Sequence, residues 1–363
     1  MLDPVGRDYD RAVLTADESI LGGNDWADPA WRDGVLQWVG EQLAARGTPA
    51  VGPVEQERVR PWSVTYRAPT AAGWHWFKAN TYGCRYEAPL AAALAGWVPD
   101  AVLAPIATHP VRGWLLTADA GATLRDALGR RRGGADAPRD ADAELPHWVA
   151  LLEQYADLQR TVAPHAEAMV ALGVPDQRSD RLPALLADLL DDPAVRAGLG
   201  PERAAAVAAK APDVARWCAE LAADGMPASL QHDDLHDGNV FVADGGYVTS
   251  GDAMAPYRFF DWGDASVAHP FGTLLVTLSS ASYAYRLAPG DPWLARLRDA
   301  YLSGWPGDGA ARRRSAALAC RLTRISRALS WRRALDRAAS PIDDDVRDAP
   351  AEWLAELSEP DIV

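Results

Sequence analysis

The chain reads as an α+β protein in two parts, a small sheet-bearing part followed by a larger, mainly helical one. Three observations predict this. Alternating strands run between residues 54 and 80, with Val64 and Tyr66 in step. Helical stripes dominate from Thr123 onward, the strongest being Trp148, Leu151, Leu152, Tyr155 and Leu158. Between the two, Ala118 to Gly121 is short and small, a candidate hinge. The expected parts are residues 1–118, with a helical extension over 1–48, and residues 119–363.

The elements follow in order. Gly22-Gly23-Asn24-Asp25 is a turn. Pro29 starts a helix whose stripe is Trp31, Val35, Leu36, Trp38, Val39 and Leu43, ending near Gly47. Strands are expected over 54–60, 62–67 and 74–80, with a turn at Pro69 to Gly73. A helix over 88–97 precedes two strands, Ala101 to Ala107 and Trp114 to Thr117. Arg130 to Asp142 is a polar loop, and Leu182 to Leu190 and Arg203 to Leu221 are helices. The run from Gln231 to Asp264 breaks the helical pattern. It carries two short strand-like pieces, Val240-Phe241-Val242 and Arg258-Phe259-Phe260. Helices resume near Gly272.

Composition excludes several classes. With 36 basic and 50 acidic residues the net charge is −14, which repels nucleic acid. No apolar run approaches the ~18 residues that a membrane span needs. Met1-Leu2-Asp3-Pro4 lacks the look of a secretory leader. Cys84, Cys218 and Cys320 are scattered and odd in number, so a disulfide scaffold or zinc ribbon is not expected. A cytoplasmic protein, monomeric or homodimeric and free of nucleic acid and membrane, is the expectation. Residues 310–340 carry nine arginines against one acid, Asp336, on a helix with a buried stripe of Leu318, Leu322, Ile325 and Leu329. A surface helix paired to an acidic body is the simplest reading.

The chemistry concentrates in Gln231-His232-Asp233-Asp234-Leu235-His236-Asp237-Gly238-Asn239. Carboxylates crowded together repel one another, and burial raises their pKa unless a cation compensates. Mg²⁺ is the simplest compensator, since Asp and Asn oxygens are hard ligands. Some twenty residues on, Phe259-Phe260-Asp261-Trp262-Gly263-Asp264 places an aspartate directly after an apolar strand. The two loops form one site if Phe241 and Phe259 lie on paired strands. Lys78 is one of only two lysines, the other being Lys210, and it stands on the strand Trp74 to Asn80.

His232, Asp234 and Asn239 form His-x-Asp-x-x-x-x-Asn, extended through His236 and Gly238. This resembles the catalytic loop of the aminoglycoside phosphotransferase and choline kinase-like family, and Asp261 resembles that family's second metal aspartate. The resemblance covers roughly residues 50–285. It implies a bilobed protein-kinase-like fold with an N-terminal five-stranded antiparallel sheet. It also implies a kinase that moves the γ-phosphate of ATP or GTP, with Mg²⁺, to a hydroxyl of a small molecule. Asp234 would orient or deprotonate the hydroxyl and His232 would buttress the loop. Asn239 and Asp261 would hold Mg²⁺, and Lys78 would meet the α- and β-phosphates with Glu87 as its partner. The hinge, Asp119 within it, would face the purine, and Asp264 and His236 would touch metal or substrate.

Two departures stand out. Pro89 puts Glu87 at the entry of its helix rather than inside it. The nucleotide turn, Arg60-Pro61-Trp62-Ser63, holds no glycine, so Ser63 or its N–H, with charge from Arg60, is expected to serve the phosphates. Amino sugars and aminoglycoside-like compounds lead as acceptors, ahead of neutral sugars, nucleoside antibiotics and amino alcohols. A nucleotide-binding pseudokinase is the alternative of another class. A protein kinase proper is disfavoured because no Ala-Pro-Glu follows Asp261. The acidic tail, Glu352, Glu356, Glu359 and Asp361, is read as solvated or as a binder of a substrate amine.

Overall fold

The structure is a computed structural model that describes residues 26–135, 137–242, 257–288, 290–338 and 342–358. The turn at Gly22 to Asp25, most of the connection after Val242, and Glu359 and Asp361 lie outside the described residues.

Helix α1 (Pro29–Ala45) begins with Asp28 accepting the Ala30 N–H and with proline in its first turn. Five strands follow: β1 (Glu55–Arg60), β2 (Ser63–Thr70), β3 (Gly73–Asn80), β4 (Pro105–His109) and β5 (Trp114–Ala118). They form one antiparallel sheet in the order β1-β2-β3-β5-β4. Strand alternation decides the two faces. Val64, Tyr66, Phe77, Trp114 and Leu116 pack with Val35, Val39 and Leu43 of α1 in a core of their own. Thr65, Trp76, Lys78, Leu115 and Thr117 turn to the opposite face, where a cleft opens.

Helix α2 (Glu87–Trp97) joins the other, larger core through Leu90, Ala91 and Leu94. That core is built on α3 (Leu124–Arg132), α4 (Ala141–Val162), α5 (Ala166–Ala171), α6 (Leu182–Asp191), α7 (Pro193–Ala208) and α8 (Ala211–Ala222). It continues through α9 (Leu274–Tyr285), α10 (Pro292–Ser303), α11 (Gly309–Ala334) and α12 (Asp344–Ala355). Four short strands lie beneath the cleft. β6 (Ser229–Gln231) pairs with β9 (Ser266–Ala268), and β7 (Val240–Val242) pairs with β8 (Tyr257–Phe259). Among the described residues no helix is long and apolar enough to cross a membrane.

The differences from expectation have local causes. The run from Ala101 is spent elsewhere. Val102 bridges Phe259 and the Phe259 N–H bonds the Ala101 carbonyl, so β4 starts only at Pro105. The segment expected as one helix over 203–221 breaks at Lys210, because Pro212 suits only a first helical turn. Upstream, Gly200 at φ 70° kinks α7. β6 and β9 were not expected from their sequence, since three-residue strands carry too little alternation to register. The arginines of α11 divide. Arg313 and Arg314 pair with Asp299 and Glu220 at the surface, whereas Arg324 and Arg327 are buried. Glu352 is paired with Arg203, 2.8 Å away.

Candidate active site

The cleft lies between the sheet on one side and β7 with the loop that follows β8 on the other, with a volume of about 470 Å³. Ala91, Leu103, Leu115 and Thr117 line it from above, and Phe241 and Phe260, stacked at 4.2 Å, from below. Ala118 to Gly121 close one edge. There Asp119 donates its N–H to the Trp74 carbonyl, and its carboxylate accepts the Gly121 N–H.

Lys78 projects from the middle of β3 into this cleft. Its Nζ donates to Glu87 Oε1 at 3.0 Å and to Asp261 Oδ1 at 2.6 Å. Burial works against the Lys78 charge, but Asp261 and Glu87 overcome it and hold the ammonium well above its ordinary pKa. Glu87 is the first residue of α2, at the helix entry. Its carboxylate also accepts the Trp262 N–H at 3.1 Å and a bond from the Asn80 amide. One buried acid therefore ties the strand lysine to the loop of Asp261. Tyr86 adds a second tie, its hydroxyl lying 2.6 Å from the Gly263 carbonyl and 2.9 Å from that of Ala265.

Asp261 follows β8 with φ 67°, a left-handed conformation that costs a non-glycine residue on the order of 1–3 kcal/mol. Burial pushes its carboxyl up, and Lys78, with a lesser contribution from Arg58, more than reverses this, so the group is held below the usual carboxylate range. With Oδ1 on Lys78, Oδ2 is left for a cation.

The loop after β6 holds the rest. His232 is fully buried and its Nε2 lies 2.9 Å from the Phe260 carbonyl. A carbonyl only accepts, so Nε2 carries the proton and Nδ1 is left to face the Asp234 N–H at 3.4 Å. Burial lowers the pKa of this ring and keeps it neutral. His232 thus joins the two loops. Asp233 takes φ 58°, with its carboxylate accepting from Ser266 at 2.9 Å and from Gln231. Burial pushes that carboxyl up to about 6, against the pull of Arg327.

Asp234 receives the Asn239 amide on its carboxylate at 3.0 Å and on its carbonyl at 2.9 Å. The amide nitrogen is spent there, which leaves Asn239 Oδ1 for a cation. Burial pushes the Asp234 carboxyl up to about 7; Arg327 opposes this, and Asp264 and Asp261 add to it. His236 Nε2 is 3.7 Å from Asp234 Oδ2. Burial, with Arg125 alongside, lowers the His236 pKa to about 4, so this contact is not an ion pair at neutral pH. Asp264 accepts from Ser330 and lies 3.7 Å from Arg327, which also donates to the Asp233 carbonyl at 2.7 Å.

Lys78, Glu87, Asp119 and Asp261 therefore share the cleft wall. His232, Asp234, Asn239, His236 and Asp264 gather beside it through the bonds just described. Ser63 is not among the cleft-lining residues. It is buried at the start of β2, opposite Asn80, and the turn before it leans on α11 through Trp62 against Trp331 at 5.3 Å. β1 lines the cleft instead, through Glu57 and Arg58.

Two further features escaped the sequence reading. Asp237 is buried between Arg125 and Arg139, 2.7 and 2.9 Å away, which clamps the loop to α3. Gly238 fits this clamp, since a Cβ there would lie 3.0 Å from the Arg125 guanidinium. Arg327 is the other, and an arginine between Ile325 and Leu329 on a buried stripe is the signal that marks it.

The arrangement fits a metal-chelated nucleotide. An apolar slot suits a base, and a protonated lysine suits phosphates. Two hard oxygens, Asn239 Oδ1 and Asp261 Oδ2, suit Mg²⁺, which keeps water and phosphate as its other ligands.

The fold is the bilobed, protein-kinase-like one. A Plasmodium vivax ethanolamine kinase superposes with a TM-score of 0.60 at 12% identity, covering 99% of this chain and 95% of its own. A choline/ethanolamine kinase family protein from Mesorhizobium loti gives 0.54 at 18% identity, over 89% and 94% of the two chains. A macrolide 2'-phosphotransferase type I gives 0.54 at 15% identity, over 88% and 96%. No family model and no curated protein matches the chain by sequence.

Proposed function

We propose that the protein is a small-molecule kinase that transfers the γ-phosphate of ATP or GTP to an alcohol. The observation that carries this is the convergence of Lys78, Glu87 and Asp261 in one bonded cluster, with Asp234 and Asn239 alongside. Phosphoryl transfer asks mainly for positioning and for neutralisation of charge. Lys78 meets the phosphates and Glu87 keeps it aimed. Asn239 and Asp261 would hold the divalent ion, which would supply screening of the phosphate charge. Asp234 orients the acceptor hydroxyl and takes its proton. His232 keeps the two loops in register, and the hinge around Asp119 receives the base.

For the acceptor we propose an amino sugar or an aminoglycoside-like alcohol. Around Arg327 stand the carboxylates of Asp233, Asp234 and Asp264, with Arg333 also acting on Asp233. The net charge of −14 also favours a cationic partner. His236 and Asp264 are the groups we assign to the acceptor.

The test is a coupled assay with Mg²⁺ and ATP or GTP against aminoglycosides, macrolides, amino sugars, choline and ethanolamine. Turnover with one acceptor class is expected, and Asp234→Ala should lose it by at least ~10³-fold while still binding nucleotide. Full acceptor phosphorylation by Asp234→Ala refutes the assignment.

A further inference from the structure

We propose that Arg58 is a phosphate-binding residue that takes the place of a glycine-rich turn, engaging the outer phosphates of the nucleotide. The inference rests on the kinase reading and extends it to a residue outside the resembling motifs. In β1, Gln56 faces Tyr66 and Arg58 faces Thr65, so Glu57 is an extra residue, a β-bulge. A bulge re-aims the side chains around it, and such bulges gather beside active sites. Here both Glu57 and Arg58 line the cleft.

The register then sets Arg58 in a row. Arg58 faces Thr65, and Thr65 faces Lys78 across the next pair of strands. Two strand spacings separate the backbones of the two basic residues, about 10 Å. That is a span an extended arginine and lysine close onto one chain of phosphates. Arg58 is also among the cations whose charge is felt at Asp261.

Its surroundings leave the guanidinium available. Glu55 and Glu57 are both engaged by Arg67, at 3.0 and 3.1 Å. Arg58 is exposed and makes no ion pair or side-chain hydrogen bond among the described residues. The turn that follows is Pro61-Trp62. Neither residue lines the cleft, and Pro61 has no N–H to offer a phosphate oxygen. Phosphate recognition at this edge thus falls to a side chain, and a guanidinium matches phosphate oxygens two at a time.

Calorimetric titration of the full chain with MgATP, MgADP and adenosine tests this. Arg58→Ala should bind the triphosphate about tenfold more weakly, as expected for loss of one charge-assisted contact. The diphosphate should lose less and adenosine nothing, and Arg58→Lys should recover part of the loss. Equal titrations for Arg58→Ala and the unaltered chain overturn the inference while leaving the kinase reading in place. An equal loss in Arg67→Ala also overturns it, because bulk charge then explains the effect. If the unaltered chain binds neither ATP nor GTP, the kinase reading falls first and the inference with it.

Discussion

In the proposed function Asp234 acts as a base where burial resists its charge. Its carboxyl is pushed up to about 7 by that burial, against Arg327 and with Asp264 and Asp261 adding to the rise. Below that value the group is protonated and cannot take a proton. The expected kcat/KM for the acceptor therefore rises about tenfold per pH unit from acid and levels above the inflection. Mg²⁺ at Asp261 removes one of the charges that raise it, so the inflection should move to lower pH as Mg²⁺ increases. A flat profile between pH 5 and 8 (roughly the span that matters here) would contradict this role. His232 gives a second prediction. His232→Ala leaves the half-buried Phe260 carbonyl without its donor, a cost of about 1–3 kcal/mol by urea unfolding. The residues of these two loops were legible in the sequence because their chemistry is written in local order: His232, Asp234 and Asn239 sit within eight positions. Arg327 was not, because its role comes from the packing of α11 under the loop, ninety-odd residues away.

At the scale of elements, the long alternating strands β2 and β3 and the stripe of α1 were legible because each spans several periods. The bulge in β1 was not. Glu55-Gln56-Glu57-Arg58-Val59-Arg60 is exposed throughout, so no buried face fixes its register from sequence. The docking of α11 on the sheet was equally silent, and it offers a test. The turn Tyr82–Cys84 packs so closely that a Cβ on Gly83 would lie 2.5 Å from the Arg333 carbonyl oxygen. That neighbour is helix backbone and cannot swing aside. Nearby, the Thr81 hydroxyl donates to the Ala334 carbonyl at 2.9 Å and Trp62 meets Trp331. Gly83→Ala should push the end of α11 off the sheet and cost about 1–3 kcal/mol. Denaturant midpoints at constant m-value check it, and an unchanged midpoint would show that the contact carries no strain.

The whole molecule has two cores, and the cleft lies at their junction. The sheet and α1 bury one small core, whereas α2 belongs to the large helical one. The Lys78–Glu87 pair therefore spans the two, with lysine on the sheet and glutamate on α2. A small core protects its backbone less than a large one, because stability against local opening follows the apolar burial behind it. In hydrogen exchange without nucleotide, β1 to β3 should exchange faster than α4 and α11. MgATP, if it binds between the cores as proposed, adds contacts to both, so it should slow the sheet and α2 more than the distant helices α6 and α7. At a hundredfold excess over Kd the gain is about 2.7 kcal/mol, seen as a higher melting temperature. Lys78→Met should abolish most of that gain, since it removes a sheet group bonded to both Glu87 and Asp261. Uniform exchange across the two cores, or protection confined to α6 and α7, would mean that the nucleotide does not bind between them.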